Sequence, residues 1–252
     1  MKANPPKPKP RKPKPAARRV VEYVDHGFAG SDTTGYSKFV ARGASVVRFH
    51  GCSFSGGLWI DVDPGTTVEI IECTFADLRF PRGGTGHAII INGLLGSDPR
   101  DCVIRLKIKG NRIVCGEGSN VEDAISLCSV QGTAKDRLLV VDNVIAGHLD
   151  NGGGRETAIC IDRNVAWFKV MRNTIDVVSR NVAINSAGGS HGVIASNEIS
   201  GGGVGSAINA YNHYGRFGDT VEDVKVRANR VAGAWAGDVW VDLSAVPANS
   251  EG

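Results

Sequence analysis

Residues 168–175 read Phe168-Lys169-Val170-Met171-Arg172-Asn173-Thr174-Ile175, a short apolar segment that leads through one arginine to an asparagine and then to a β-branched residue. The same motif recurs along the chain, with cysteine in place of asparagine in the first two copies. Its lead residues are separated by 21, 38, 32, 30, 24 and 32 positions, and they are Cys52, Cys73, Asn111, Asn143, Asn173, Asn197 and Asn229. Recurrence of one local pattern at intervals of about 20–50 residues indicates a repeat architecture.

A second recurring segment accompanies the motif in each unit. Its branched residues alternate. Three copies read Ala-Ile-x-Ile or Ala-Ile-x-Leu, and two more match without the last residue. The full set is Trp59–Val62, Ala88–Ile91, Ala124–Leu127, Ala158–Ile161, Ala183–Asn185, Ala207–Asn209 and Asp238–Val241. Alternation of this kind predicts β-strands. It places the Ile and Val side chains inward and the intervening Asp, Ser, Cys and Asn side chains outward.

The repeating unit is built from strands alone. Segments of four to six residues rich in Val and Ile alternate with Gly, Asn, Asp and Ser, and no long segment has a helical period. This excludes helical and leucine-rich repeats, and units of 21 or 24 residues are too short for the four strands of a propeller blade. The sequence therefore predicts an all-β solenoid.

With this asparagine motif, residues 36–244 resemble the right-handed parallel β-helices of the pectate-lyase-like superfamily. The resemblance implies a single-stranded parallel β-helix of about seven to eight coils, in which stacked asparagine amides form an internal ladder. Cys52 and Cys73 depart from the pattern and are expected to cap the ladder with small buried side chains. Because asparagine tolerates the left-handed backbone that a tight turn needs, we expect the asparagines themselves to adopt it.

The first 19 residues differ from the rest of the chain in composition. They hold six of the ten prolines and eight Lys or Arg without an acidic residue, which leaves 21 basic and 26 acidic residues elsewhere. Pro alternating with Lys and Arg favours an extended polyproline-type segment. A disordered solubilising arm is one interpretation, and an arm that lies on an acidic protein surface or on nucleic acid is another. We expect attachment, through Lys7, Lys9, Arg11, Lys12 and Lys14.

The chain is accordingly divided into four parts: a basic arm (1–19), an N-terminal cap or connector (20–35), the β-helix (36–244) and a C-terminal tail (245–252). Residues Val20–Val24 and Leu243–Gly252 are expected to cover the open strand edges at the two ends of the solenoid.

The cysteines, the apolar runs and the first residues limit what can be expected of metal binding, membrane contact and export. The six cysteines form no CxxC pair and have no zinc-finger spacing to histidine, so we expect free, mostly buried thiols, no metal site and no cofactor. No run of about 18 apolar residues is present, so no membrane contact is expected. The first residues lack the apolar segment of a signal peptide, and we expect cytoplasmic synthesis.

Three features are candidates for function. The first is the outward face of the Ala-Ile strands, where polar side chains should line up: Asp61, Asp63, Asn92, Asp162, Asn185, Asn209, Tyr211 and Asp242. On an extended strand Asp61 and Asp63 lie about 7 Å apart, within the range of carboxylate pairs that hydrolyse glycosidic bonds. A merely solvated polar face is the alternative interpretation.

The second candidate is His191, which lies in a Gly-Ser-His-Gly segment similar to the Gly-His-Gly turn of polygalacturonases. The paired aspartates which that family needs in the preceding coils are not matched, since the equivalent stretches are Ser126–Cys128 and Cys160–Asp162. We therefore interpret His191 as a turn residue and assign no catalytic residue.

The third candidate is the most aromatic stretch of the chain, 211–219. Tyrosine and phenylalanine beside arginine suit stacking on sugar rings or a protein interface, and packing against the coil wall is the alternative. The expected contacts for a glycan or a partner are Tyr211, His213, Tyr214, Arg216 and Phe217.

Two functional hypotheses follow. The favoured one is a structural or adhesive β-helix, anchored by its basic arm to a larger assembly such as a capsid, in the manner of bacteriophage spikes, fibres and decoration proteins, which are often homotrimers. The other is a carbohydrate-active enzyme (a lyase, hydrolase or epimerase) that acts on an acidic polysaccharide.

Overall fold

The computed structural model of the chain describes residues 19–30, 34–43, 45–82, 86–94, 102–212 and 222–242. These residues form 25 strands and no helix. In chain order the strands are β1 (Val20–Val24), β2 (Gly27–Phe28), β3 (Tyr36–Ala41), β4 (Val46–His50), β5 (Ser53–Phe54), β6 (Gly57–Val62), β7 (Thr67–Ile71), β8 (Thr74–Phe75), β9 (His87–Gly93), β10 (Arg105–Lys109), β11 (Arg112–Cys115), β12 (Asp123–Cys128), β13 (Leu138–Val141), β14 (Val144–Leu149), β15 (Thr157–Ile161), β16 (Val165–Ala166), β17 (Phe168–Met171), β18 (Thr174–Ser179), β19 (Val182–Ser186), β20 (Gly189–Ser190), β21 (Val193–Ala195), β22 (Glu198–Tyr211), β23 (Lys225–Arg227), β24 (Arg230–Val231) and β25 (Ala234–Asp242).

The strands form two large sheets and one small one. Sheet A has eight strands in the order β1-β4-β7-β10-β13-β17-β21-β23. The fifteen-stranded sheet has two limbs joined through the long strand β22. Limb B contains β2, β5, β8, β11, β14, β18 and β24, and limb C contains β3, β6, β9, β12, β15, β19 and β25. Strands β16 and β20 form the small sheet.

Pairing between these strands is parallel throughout the described residues. The chain passes through sheet A, limb B and limb C in turn, and each strand pairs with its equivalents in the preceding and following units. The all-β class and the parallel arrangement predicted from the repeats are confirmed, and they agree with a solenoid.

The N-terminal strand is a regular member of this arrangement. Val20–Val24, expected to cover the first edge, pairs in register with all five residues of Val46–His50 and forms the first strand of sheet A. The other expected cover, residues 243–252, lies outside the described residues. The boundaries at 35/36 and 244/245 stay predictions.

The asparagines of the motif form a column in the turn between sheet A and limb B. Asn173 Oδ1 accepts hydrogen bonds from the backbone nitrogen and Nδ2 of Asn143, at 3.0 and 2.9 Å. Its own Nδ2 donates to Val140 O and to Asn197 Oδ1. The same contacts run from Asn111 to Asn229. Each buried amide is thereby satisfied by the neighbouring units, which is what a buried polar group requires.

At the N-terminal end of the column, Cys52 and Cys73 stand in place of asparagine and donate through Sγ to a backbone carbonyl of the preceding unit. The backbone nitrogen of Cys73 donates to Asn111 Oδ1 at 2.9 Å, as the backbone nitrogens of the later asparagines do to the next Oδ1. Cys73 Sγ donates to Phe49 O at 3.4 Å, and Cys52 Sγ donates to Tyr23 O at 3.4 Å. These carbonyls occupy the place that an asparagine Nδ2 reaches in later units. All six cysteines are free, and five are buried. Burial raises the pKa of the Cys73 thiol to about 12.

The left-handed backbone of this turn lies one residue before the position we expected. Positive φ occurs at Asp142 (59°), Arg172 (54°) and Ala228 (54°), each directly before an asparagine of the column, and the asparagines themselves are not among the positive-φ residues. The expectation that asparagine adopts the left-handed conformation is therefore wrong. Asparagine is used at this turn for its amide hydrogen bonds and not for its backbone tolerance.

The core lies between the three faces and is closed by aromatic rings at the N-terminal end. Inward Ile and Leu side chains of limb C, such as Ile89, Ile91 and Leu127, are fully buried, as the alternation predicts. Phe28, Phe54 and Phe75 stack at centroid distances of 4.8 and 4.5 Å.

No helix of the described residues is long and apolar enough to cross a membrane.

Replacing Asn173 with Ala should lower the free energy of unfolding by about 2–3 kcal/mol, because buried partners on both sides lose their hydrogen bonds. Asn181→Ala, at a half-buried position outside the column, is the matched control and should change it by about 0.5 kcal/mol or less. Urea unfolding followed by circular dichroism measures both. Equal values for the two variants would contradict the structural role of the column.

Candidate functional site

A cleft of about 280 Å³ opens on the outer face of limb C, near the N-terminal half of the molecule. Strands β6, β9 and β12 contribute most of its side chains. Glu122 directly precedes β12, and Asp162 directly follows β15. The lining residues are Trp59, His87, Ile90, Asn92, Glu122, Asp123, Ser126, Cys128 and Asp162. One indole, one imidazole and three carboxyl groups thus meet in a single concave surface, which we call the limb C cleft.

Strand register explains why these residues meet. The outward positions of limb C form two parallel columns, since residues at equal positions of successive units pair directly. One column passes through Trp59, Ile90, Ser126, Cys160, Asn185, Asn209 and Trp240. The second contains Asp61, Asn92 and Cys128 near the cleft, and Tyr211 beside Asp242 at the far end.

A chain of three polar side chains lies at the start of the limb C strands. His87, Asp123 and Thr157 are in register in β9, β12 and β15. His87 Nδ1 lies 3.3 Å from Asp123 Oδ2, and both side chains are less than a tenth exposed. Thr157 Oγ1 donates to Asp123 Oδ1 at 2.5 Å. Asp123 is thus held by a hydroxyl and lies beside the imidazole, whose Nδ1 makes no hydrogen bond at this distance.

Glu122 adds a carboxyl group with altered acidity beside this chain. Burial raises its pKa, the Asp123 carboxylate raises it further, and His87 and Arg155 act in the opposite direction. A carboxyl group of raised pKa thus lies beside a buried histidine. Such pairs suit acid–base chemistry.

Trp59 is fixed in place at the edge of the cleft. Its Nε1 donates to Asp61 Oδ1 at 2.7 Å, and Asn92 Nδ2 donates to the same oxygen at 3.0 Å. Lys38 Nζ lies 5.1 Å from the centroid of the indole, and Tyr36 packs edge-on at 5.4 Å. The half-buried indole is thus a rigid platform.

The polar side chains that were predicted to line up on the outward face of the Ala-Ile strands meet only in part. Asp61 and Asn92 are neighbours, as are Asn185 and Asn209, and Tyr211 and Asp242. Asp63, by contrast, lies beyond the end of β6, where its Oδ2 accepts from the backbone nitrogen of Gly43 at 3.0 Å. Asp61 is bonded to Trp59 and Asn92, so the two carboxylates serve separate local structures.

Of the predicted aromatic contacts, Tyr211 alone lies among the described residues; the four others, His213, Tyr214, Arg216 and Phe217, lie outside them. The Tyr211 ring lies 5.2 Å from Trp240. Burial raises its pKa, and a hydrogen bond with Asn185 lowers it. The arm residues Lys7, Lys9, Arg11, Lys12 and Lys14 also lie outside the described residues.

His191 occupies a turn with positive φ (51°), as its glycine-rich segment suggests. Its ring stacks on Trp167 at 4.3 Å, and its Nε2 lies 3.2 Å from Glu222 Oε1. It lies away from the limb C cleft, at the sheet A end of the unit. Among the described residues no three His, Cys, Asp or Glu side chains are grouped as metal ligands.

The sequence reasoning missed His87, Glu122, Asp123 and Thr157. A signal for three of them was present, because His87, Asp123 and Thr157 each directly precede the alanine of an Ala-Ile strand. Aligned on that alanine, they form a polar column at one position of three successive units.

No family model, no curated protein and no solved structure matches this chain.

Glu122→Gln should stabilise the protein at neutral pH relative to the parent, and this advantage should vanish in acid. A raised folded-state pKa means that the parent loses stability as the pH rises above the ordinary glutamate value, because the unfolded chain ionises first. Melting temperatures at pH 7.5 and near pH 4 measure the difference. Glu117→Gln, at a side chain 87% exposed, is the control. An equal shift at both pH values would contradict the assigned cause.

Proposed function

We propose that the chain is a right-handed parallel β-helix of eight coils with an internal asparagine ladder. Each coil contributes one strand to sheet A, one to limb B and one to limb C, with β22 serving both limbs in the seventh. Right-handedness is supported by the strong preference of crossovers between parallel strands for that hand. The ladder is supported by the amide contacts from Asn111 to Asn229.

On this scaffold, the function that the geometry supports best is glycan binding by an adhesive module. The observation that carries the proposal is the fixed indole of Trp59 beside the amide of Asn92 and the carboxylates of the limb C cleft. A rigid aromatic platform with hydrogen-bonding groups around it suits a sugar ring and its hydroxyls. Beyond the cleft, the outward column offers Asn185, Asn209 and Trp240 to an extended chain of sugars.

The charge of the cleft favours a neutral glycan. Glu122, Asp123 and Asp162 line it, and Asp61 lies at its edge, with His87 as the single basic side chain among the lining residues. A uronate or sulfate group would meet like charge there, which costs binding energy. The earlier expectation of an acidic polysaccharide is therefore less well supported at this site than a neutral one.

Attachment through residues 1–19 remains part of the proposal. Arg19, the first described residue, accepts a hydrogen bond from Val46 N at 2.8 Å, so the arm leaves directly from the first strand of sheet A. An arm with eight basic residues at one end of a β-helix suits anchoring to an acidic surface of a larger assembly, such as a virion. A homotrimeric state is proposed with it.

Trp59→Ala should weaken binding of a neutral oligosaccharide by about tenfold, through loss of the stacking surface. Titration calorimetry with glucan, mannan and galactan oligomers, after a screen on a glycan array, measures the affinity. Trp167→Ala, which removes an indole beside sheet A, is the control and should bind as the parent does. Binding that survives Trp59→Ala unchanged would contradict the proposed site.

Deleting residues 1–19 should abolish association with the assembly and leave glycan affinity unchanged. Light scattering of the full chain and the shortened chain, each mixed with candidate virions, measures association. Circular dichroism checks that the shortened chain folds. Equal association of both forms would contradict the role of the arm.

A second candidate function is favoured by the His87–Asp123–Thr157 chain, because binding alone does not need a buried histidine beside a carboxylate and a carboxyl group of raised pKa. In this alternative, Glu122 donates its proton to the glycosidic oxygen as the bond from that oxygen to the anomeric carbon breaks. His87 accepts a proton from the water whose oxygen forms the new bond to that carbon. His87→Ala should then slow product formation at least about 100-fold, and His148→Ala, in limb B, should leave the rate of product formation unchanged. The appearance of reducing ends reports the product. Intact polysaccharide after incubation with the parent would exclude this candidate.

A further inference from the structure

The outer face of sheet A carries a cleft of about 360 Å³ whose charge is opposite to that of the limb C cleft. Strands β7, β10 and β13 form its floor, and the turn at residues 134–137 forms one wall. Its basic side chains are Arg105, Lys107, Lys135, Arg137 and Lys169, and its acidic ones are Glu69 and Asp136. We call it the sheet A cleft.

Strand register arranges the cleft lysines in a line. Lys107 pairs with Leu139, and Leu139 pairs with Lys169 in the next strand. The same column continues through Val193 to Lys225. Lysines therefore recur on alternate strands, about 10 Å apart at the usual strand spacing of about 4.8 Å. A straight row of separated charges matches a linear ligand better than a single small anion.

The acidic groups in and beside the cleft are already neutralised by arginines. Arg48 pairs with Glu69 at 2.5 Å, and Arg105 Nε lies 3.5 Å from Asp136 Oδ2. Arg137 is engaged as well, since its Nη1 donates to His191 O at 2.7 Å.

Its lysines, by contrast, are available to a ligand. Among the described residues Lys107, Lys135 and Lys169 have no acidic partner within ion-pair distance. The positive charge of the cleft that no acidic group neutralises is therefore carried by these three lysines and by Arg137, whose hydrogen bond goes to a neutral carbonyl.

The charge of the cleft limits the ligand to an anion. Lysine ammonium groups commonly bind phosphate as point charges, and the arginine fork also matches phosphate. The lining residues include no aromatic ring on which a nucleobase could stack, which argues against single-stranded nucleic acid. We propose that the sheet A cleft binds a linear phosphate-bearing polymer along the row Lys107–Lys169. The sheet A cleft shares no lining residue with the limb C cleft, so the two ligands can bind independently.

The test uses the full chain and sodium polyphosphate of defined length as the probe. The double variant Lys107→Gln/Lys169→Gln should weaken polyphosphate binding by about tenfold and flatten its dependence on salt. Arg112→Gln/Arg180→Gln removes two exposed charges on and beside limb B and is the matched control, expected to stay within about twofold. The arm is present in every protein, so its contribution cancels.

Competition with polygalacturonate, polyglutamate and a single-stranded oligonucleotide tests the ligand class. Weaker binding of all three than of polyphosphate, at equal charge, supports the proposal. Equal losses in the two double variants, or tighter binding of any competitor, would overturn it. Lys135→Gln, at an exposed turn residue, provides a second variant if the double variant fails to fold, and it should weaken binding in the same direction.

Discussion

The hydrogen-bonded column of asparagine amides is the constraint on which the other features of this molecule depend. In Asn143, Asn173 and Asn197, Oδ1 accepts from the backbone and the side chain of the preceding asparagine, and Nδ2 donates to a carbonyl of the preceding unit and to the amide oxygen of the next asparagine. Because these groups are buried, a slip of one residue in any unit would leave several of them unpaired. The column thus fixes the register of sheet A and limb B together.

Fixed register turns a one-dimensional repeat into chemically distinct faces. On limb C it collects an indole, an amide, a histidine and carboxyl groups from four units into one cleft. On sheet A it aligns lysines from alternate strands while arginines neutralise the nearby acids. Opposite charge on two faces of one rigid scaffold allows two different ligands to bind without competing. Both proposed ligands follow from this separation.

Much of the fold could be predicted from local pattern, and the site could not. Asn111 to Asn229 are joined by hydrogen bonds between their side chains, and Ile89 and Ile91 are buried, as the alternation predicts. The conformation of the turn was predicted one residue too late, because asparagine is common both in left-handed turns and in side-chain hydrogen bonds. Asp61 and Asp63 were treated as a pair, since strand periodicity does not show that β6 ends at Val62.

The sequence by itself determined that the chain is built of short strands in repeated units, with branched side chains inside and an asparagine at one turn. These properties depend on neighbours in the chain, and alternation and spacing record them directly. Only the tertiary structure decided which residues of different units meet. His87 and Asp123 are 36 positions apart yet in register, because the loops between units vary in length and parallel pairing aligns the strands regardless of that length.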